Sequence, residues 1–423
     1  MPLARRRALT LPLLLALLVA LFATAGPARA DDTLHENPVD PVRLVEQAWR
    51  LTRRHYYDPN RLERSGWDDI LRRYRRKAAG VVGPEATRAL INRMLGELKT
   101  SHLAVVDGAV FEDHLMAEFR DKRTPRYGME LVEVEGRLFV GGLLESGAAR
   151  AAGLRVGDEV VAIDGLPAID AENLRGAGHD PGLPGHPGYV LLAESTRDRV
   201  ELRVARARGA ALETVAIQAK PTNMIESVRA SIEVVKVEGR KIGRIHLWHF
   251  MNMTVARILE SALRETFKDC DGLVLDIRGR GGSSAVVVRL LDLFIGRRAV
   301  WKRPVVVLQH GETRSAKEIF AWRWKRAKRG PIVGETSQGA CIGTIFKPLA
   351  DGSWMLLPAV GVSRLTRGVE LEGRGVDADV NVRVAPLPWK GDKDEIYEAG
   401  LKTLLSSLPE PRRARRSGRS RLY

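Results

Sequence analysis

Between residues 242 and 329 the chain alternates short apolar runs with segments of helical spacing, and no other feature restricts its fold as much. Ile242–Leu247, Leu273–Ile277 and Val305–Leu308 read as strands. Thr254–Phe267, a segment ending about Phe294, and Ser315–Arg329 read as helices, the last stopped by Gly330-Pro331. Such alternation implies layered α/β structure. The second strand runs into its helix through Gly279-Arg280-Gly281-Gly282. Glycines there let backbone N–H groups converge on an anion. The turn has neither the Gly-Lys-Ser/Thr of a P-loop nor the Gly-x-Gly-x-x-Gly spacing of a dinucleotide site.

The preceding residues divide in two. Residues 40–100 read as helices. Asp40-Pro41 starts the first, whose Val45, Ala48, Trp49, Thr52 and Tyr56 share a face. Asp58-Pro59-Asn60 reads as a turn, Ile70 to Ala78 as a second helix, and Gly83-Pro84 as the start of a third. From about residue 123 the pattern is one of strands: Met129–Val134, Leu138–Val140, Val160–Ile163, Val200–Val204 and Thr214–Ile217. Asp164-Gly165 is a tight-turn signal, and the glycine- and proline-rich 176–188 reads as a loop. A last helix covers Glu395–Leu408.

The two ends have their own chemistry. Arg5–Arg7, the unbroken apolar run Leu13–Ala23, and Ala28-Arg29-Ala30 before Asp31 have the order of a cleaved secretory signal, with an uncleaved anchor as the alternative. Lys+Arg exceed Asp+Glu by 68 − 52 = +16, but four of those arginines precede residue 31 and six follow Pro411. The body is left at 16 − 4 − 6 = +6, too little to argue for nucleic acid. Trp322-Arg323-Trp324-Lys325-Arg326 reads as a helix end whose dipole favours cations. The arginine-rich tail reads as disordered, with at most weak attraction to a membrane surface. Cys270 and Cys341 have no Cys-x-x-Cys spacing, so zinc is not expected, and their pairing stays open. The expected divisions are a signal peptide over 1–30, a helical region over 31–122, a β domain over 123–222, an α/β core over 223–408 and a basic tail over 409–423.

Single residues say little. Ser315 can expose its hydroxyl at a helix start, but Ser315-Ala316-Lys317-Glu318 is equally a capping box. His102, after Ser101, and Glu372 are ordinary taken alone.

Together these pieces resemble the C-terminal processing (tail-specific) serine peptidases, a family that includes the tricorn core protease. Residues 149–165, Ala-Arg-Ala-Ala-Gly-Leu-Arg-Val-Gly-Asp-Glu-Val-Val-Ala-Ile-Asp-Gly, look like the PDZ domains of these enzymes. The resemblance makes Tyr127-Gly128-Met129-Glu130 the loop that grips a peptide's C-terminal carboxylate, beside an exposed sheet edge that takes the peptide as an added strand. It also implies a crotonase/ClpP-like layered core. Asp276–Gly282 is similar to the family's strand and oxyanion turn, and Ser315-Ala316-Lys317-Glu318-Ile319 to its Ser-Ala-Ser-Glu-Ile nucleophile motif. Gly375-Val376-Asp377-Ala378-Asp379-Val380 resembles its closing Gly-Val-x-Pro-Asp-Val.

Most processing peptidases place a lysine base 25 residues after the serine. Here that position is Ala340. Ser101-His102, and Glu372 three residues before Gly375, match the tricorn branch instead. The resemblance implies Ser315 as nucleophile, His102 as base, and Glu372 and Ser101 as the orienting relay. Gly281 or Gly282 with the Ala316 N–H would hold the oxyanion. Lys317, two residues from Ser315, is the rival base. The expected function is an exported serine endopeptidase, periplasmic or secreted, acting on polypeptides without cofactor or metal. The alternative is a catalytically silent PDZ-containing peptide-binding homologue.

Overall fold

A computed structural model describes residues 39–409, apart from 177–180, 182, 184–186, 194–197 and 392. The expected signal sequence and all but the first residue of the expected basic tail lie outside the described residues. Among the described residues no helix is long and apolar enough to cross a membrane.

The helical region contains α1 (Pro41–His55), α2 (Pro59–Arg64), α3 (Trp67–Ala78) and α4 (Pro84–Gly96). Asp40 caps α1 as its position before proline suggests, its carboxylate accepting from Val42 N at 2.9 Å. Asp58-Pro59-Asn60 is not a plain turn: Asp58 accepts from Arg61 N and starts α2. The same residue pattern serves both purposes, because an aspartate before proline satisfies N–H groups in either. The chain then forms β1 (Ala104–Val106).

β2 (Thr124–Arg126) leads into a meander of β3 (Met129–Val134), β4 (Arg137–Leu143), the short α5 (Ala148–Ala151), β5 (Glu159–Ile163), β6 (Leu166–Pro167), β7 (Leu174–Gly176), β8 (Gly188–Leu191), β9 (Arg199–Ala205) and β10 (Glu213–Gln218). The antiparallel sheet has the order β10-β9-β5-β4-β3-β8-β7, with β6 on β5. It wraps a core of its own, including Leu131, Val140, Leu154, Ile163, Leu202 and Ile217. The edge of β3 is not open along its length, because β8 pairs with it at Leu131↔Tyr189 and Val132↔Gly188. Part of the segment expected as a loop is strand, and a strand beside an unpaired edge satisfies the edge's backbone groups.

β11 (Lys220–Thr222) pairs back with β2, and α6 (Met224–Ala230) leads into the layered core. Its sheet contains β12 (Glu233–Val237), β13 (Arg240–His246), β14 (Gly272–Asp276), β15 (Val305–Gln309), β16 (Ile332–Gly334) and β19 (Val380–Asn381) in that order. All pairs except β12–β13 are parallel. The helices are α7 (Thr254–Arg264), α8 (Ser284–Asp292), α9 (Ala316–Arg326) and α10 (Glu395–Ser407). Successive strand residues point to opposite faces, and both faces here are apolar. Leu273, Leu275, Val305 and Val307 pack with α7, α8 and α9, whereas Val274, Val306 and Leu308 pack with Ile396 and Leu404 of α10.

A hairpin of β17 (Ile342–Pro348) and β18 (Trp354–Gly361) was not expected from the sequence. It receives β1 as a third strand, so a segment from the helical region completes a sheet built from the far end of the chain.

The α10 contact predicts a cost. A Cβ on Gly400 would lie 2.3 Å from Leu308 Cδ2, in a wholly buried cluster. Gly400→Ala is expected to destabilise by about 1–3 kcal/mol through overpacking, visible as a lower Tm. An unchanged melt would show that the cluster yields.

Candidate active site

The site lies at the carboxyl ends of β14 and β15, where open parallel sheets place their crevices. β15 is followed by a turn that delivers Ser315 immediately before α9. Ser315 has φ 59° and ψ −126°, a strained conformation for a residue with a Cβ. A sharp strand-to-helix turn of this kind presents a hydroxyl rather than burying it. Its backbone N–H donates to Ala340 O at 2.8 Å and is 3.0 Å from Glu318 Oε2. The capping reading of Ser315-Ala316-Lys317-Glu318 therefore survives for Glu318, which supplies the return half of the box. Glu318 does more than cap. Its carboxylate also accepts from Gly339 N at 2.7 Å, Ala340 N at 2.9 Å and Ser337 Oγ at 2.7 Å. Burial pushes its carboxyl above the ordinary glutamate value, and these donors pull the other way.

The expected oxyanion turn lies against Ser315. A Cβ on Gly281 would be 2.4 Å from Ser315 Cβ and 2.9 Å from its Oγ. Gly282 is pressed on the Phe250 backbone, and Phe250 N donates to Gly281 O at 3.0 Å. Ala316 opens α9, so its N–H is one of the unpaired donors of a helix start.

Ser101, His102 and Glu372 also come together, although 271 positions separate the first from the last. Glu372 Oε1 accepts from Ser101 N at 2.8 Å and Oε2 from Ser101 Oγ at 2.9 Å. Ser101 Oγ is 2.7 Å from His102 Nδ1. A hydroxyl that gives its proton to Glu372 has to accept from Nδ1–H, which leaves Nε2 with the lone pair. Arg314 Nη2 lies 3.4 Å from the same Nδ1, too far to compete with the 2.7 Å bond, and it sets His102 beside the turn that carries Ser315. His102 has φ 58°.

Several residues of the site were not legible in the sequence. Cys341 N donates to Glu372 Oε2 at 2.8 Å, one residue after Ala340 receives the Ser315 N–H. Cys341 and Cys270 are both buried and unpaired with each other. Arg61 donates to Leu98 O at 3.2 Å and Lys99 O at 2.8 Å, and Tyr56 Oη is 2.5 Å from Thr100 Oγ1. These contacts hold the loop that ends in Ser101-His102. Burial pushes the Tyr56 phenol up to about 12. No sequence motif marks them, because they act through backbone carbonyls of a distant segment. Lys317 does not face the serine: its amine donates to Leu247 O, Trp248 O and Arg278 O at 2.7, 2.9 and 3.0 Å. Tyr127-Gly128-Met129-Glu130 lies at the start of β3, away from the part of the strand that β8 covers, and Glu130 is ion-paired with Arg280 of the oxyanion turn.

Residues 241–382 match the model of peptidase family S41, and residues 45–96 match that of the tricorn protease C1 domain. Over those residues the chain is similar to peptidase family S41. This is a serine-type family. The tricorn protease homolog of Saccharolobus solfataricus is 24% identical over 404 residues, covering 86% of this chain and 35% of that one. The carboxy-terminal processing protease CtpA of Bacillus subtilis is 23% identical, covering 69% of this chain and 62% of that one. The chain spans 33% to 56% of the length of the first curated relatives it matches. Among solved structures, the tricorn protease superposes with TM-score 0.52 at 17% identity, over 87% of this chain and 36% of that one. Mature CPAF superposes with TM-score 0.51 at 13% identity, over 87% and 97%. These likenesses are of fold.

The approach of Gly281 to Ser315 can be tested. Gly281→Ala keeps the backbone N–H, but its Cβ forces the turn away from Ser315. It is expected to slow fluorophosphonate labelling of Ser315 by about 100-fold or more, the order lost when an oxyanion donor no longer reaches its target. Labelling at the wild-type rate, with the added methyl group tolerated, would separate this turn from the site.

Proposed function

We propose that this chain is an exported serine endopeptidase that cleaves polypeptides at Ser315. The observation that carries the reading is the continuous path Glu372–Ser101–His102, at 2.9 and 2.7 Å, beside a strained serine at a helix start. It supports a base without the lysine that Ala340 replaces.

In this reading Ser315 Oγ attacks the peptide carbonyl carbon while its proton passes to His102 Nε2. The negative charge that develops on the carbonyl oxygen faces N–H groups of Gly281 or Gly282 and of Ala316. The C–N bond then breaks as His102 returns the proton to the leaving amine. Water, deprotonated by His102, adds to the acyl ester, and Ser315 leaves with a proton regained. Glu372, through Ser101, holds the ring in the required tautomer and opposes the charge the imidazolium acquires.

Residues 123–222 serve in this reading as a PDZ domain that brings substrate C-termini through Tyr127–Glu130. Because β8 covers Leu131 and Val132, the peptide adds at the open start of β3 or displaces β8. The amino-terminal residues 1–30 direct export to the periplasm or medium. The absence of lysine at Ala340 favours a second reading, a silent peptide-binding homologue, and one experiment separates them.

A fluorophosphonate should label the wild type and fail on Ser315→Ala. His102→Ala should lower kcat about 1,000-fold or more, and Glu372→Gln by a smaller clear factor. kcat/KM should rise with pH as His102 loses its proton, because only the neutral ring accepts the serine's. A wild type that takes no label and cleaves no unfolded protein is the silent homologue. For the PDZ part, the full-length Ser315→Ala chain should bind a peptide acid on the order of tenfold more tightly than its C-terminal amide, the worth of about one charge-assisted hydrogen bond. Equal affinities would remove the carboxylate from the interaction.

A further inference from the structure

Lys317 is a site-adjacent charge that the proposed mechanism leaves unused. It stands on the first turn of α9, two residues after Ser315, and its side chain is wholly buried. Its amine lies among backbone rather than carboxylates. Leu247 O is at 2.7 Å, Trp248 O at 2.9 Å and Arg278 O at 3.0 Å, and the Phe250 ring centre is 5.3 Å away. Three carbonyls match the three N–H donors of an ammonium group. A neutral amine has two, and would turn a lone pair toward the third carbonyl.

The carbonyls belong to the two segments that shape the oxyanion turn. Arg278 is the residue before Gly279-Arg280-Gly281-Gly282. Leu247 and Trp248 follow β13 and run on to Phe250, whose backbone supports Gly281 and Gly282. The turn is rich in glycine: Gly279 and Gly282 have φ 103° and 157°, and four residues carry three glycines, so its shape depends on contacts such as these. A Cβ on Gly279 would lie 3.2 Å from Trp248 O and 3.6 Å from Lys317 Nζ, so the amine fills the space behind the turn.

We propose that Lys317 is a positioning residue for the peptidase reaction: its ammonium group ties the ends of β13 and β14 together so that Gly279–Gly282 is held against Ser315, and loss of one proton loosens that tie. The inference rests on the peptidase reading of Ser315 and deepens it. The same buried positive charge also favours negative charge at the turn, since few solvent dipoles are near to screen it.

The groups facing Lys317 set the direction of its pH response. Burial lowers its amine well below the usual lysine value of 10.5, and the carboxylate of Asp276 opposes this. Asp276 is itself held low by Arg278 and His246 against the cost of its burial. Arg278 pairs with Asp276 and with both oxygens of Asp394 at 2.8 Å, so its charge is matched. His310 is pushed down to about 3, by burial first and then by Arg278, and stays neutral. His246 Nε2 lies 3.1 Å from the Arg278 carbonyl that Lys317 also holds, and Glu145 is 3.2 Å from its other nitrogen. Glu318, on the same turn of α9, faces the other way, into 337–340. Lys317 therefore carries charge below its lowered value and loses it as pH rises through that value. A lysine lower in the folded than in the unfolded chain binds fewer protons when folded across that window, so its deprotonation does not weaken the fold. Activity should fall on the alkaline side while the structure stays intact.

The test is the rate of Ser315 labelling by a fluorophosphonate, with kcat and KM on an unfolded protein substrate, against pH in the full-length chain. Wild type should show an alkaline fall with unchanged near-ultraviolet circular dichroism. Lys317→Met should label about 100-fold more slowly at neutral pH and lose the alkaline fall, with kcat reduced and KM changed less than about threefold. Lys317→Gln, which restores two donors without charge, should recover part of the rate and also lack the alkaline fall. Wild-type labelling that stays flat up to the usual lysine value of 10.5 overturns the proposal, and it does so even if Lys317→Met fails to fold. So does a folded Lys317→Met that labels at the wild-type rate or keeps the alkaline fall. A wild type that takes no label at any pH sinks the peptidase reading, and this one with it; a wild type that labels, indifferent to Lys317, sinks this one alone.

Discussion

Seven hydrogen-bond donors converge on two carboxylates, the buried Glu318 and the half-buried Glu372, and the positions of Ser315 and His102 depend on them. Glu318 takes Ser315 N, Gly339 N, Ala340 N and Ser337 Oγ. Glu372 takes Cys341 N, Ser101 N and Ser101 Oγ. The segment 337–341 is therefore clamped from both sides, with the Ser315 turn on one carboxylate and the Ser101-His102 loop on the other. Glu318 could not be buried without its partners, since a desolvated charge lacking donors costs several kcal/mol. The clamp and the burial require each other.

That arrangement explains how the helical region belongs to the site. Its helices carry no reacting group, yet β1 is a strand of the β17–β18 sheet, and Arg61 and Tyr56 grip the loop before Ser101. The parallel sheet contributes in another way. Its two apolar faces are covered by separate helix layers, so β14 and β15 end at a common rim where only the glycine turn and the Ser315 turn emerge. Rigid strands hold the donors, and the histidine arrives from elsewhere.

Some of this was legible in residue order because it is local. Strand-to-helix alternation, Asp40-Pro41, Gly83-Pro84 and Asp164-Gly165 depend on neighbours a few positions apart, and the structure has elements at those places. The β17–β18 hairpin was missed because β17 mixes polar and apolar residues, β18 carries Pro358, which argues against a strand, and its further partner, β1, comes from the other end of the chain. The cover on β3 was missed because Gly188–Leu191 begins at the end of a glycine- and proline-rich stretch and is short, so only its partners make it a strand.

What the sequence determined by itself is the layered α/β class, the serine at a helix start after a strand, the glycine turn after another, and the absence of lysine at Ala340. Each follows from spacing along one stretch of chain. Only tertiary structure decided which polar groups meet. Ser101 and Glu372 lie 271 positions apart, and Lys317 points at backbone carbonyls and not at the serine beside it. The reason is physical: burial leaves a charged or hydroxyl group whichever partners the packing of distant elements delivers, and nothing in the local sequence encodes that delivery.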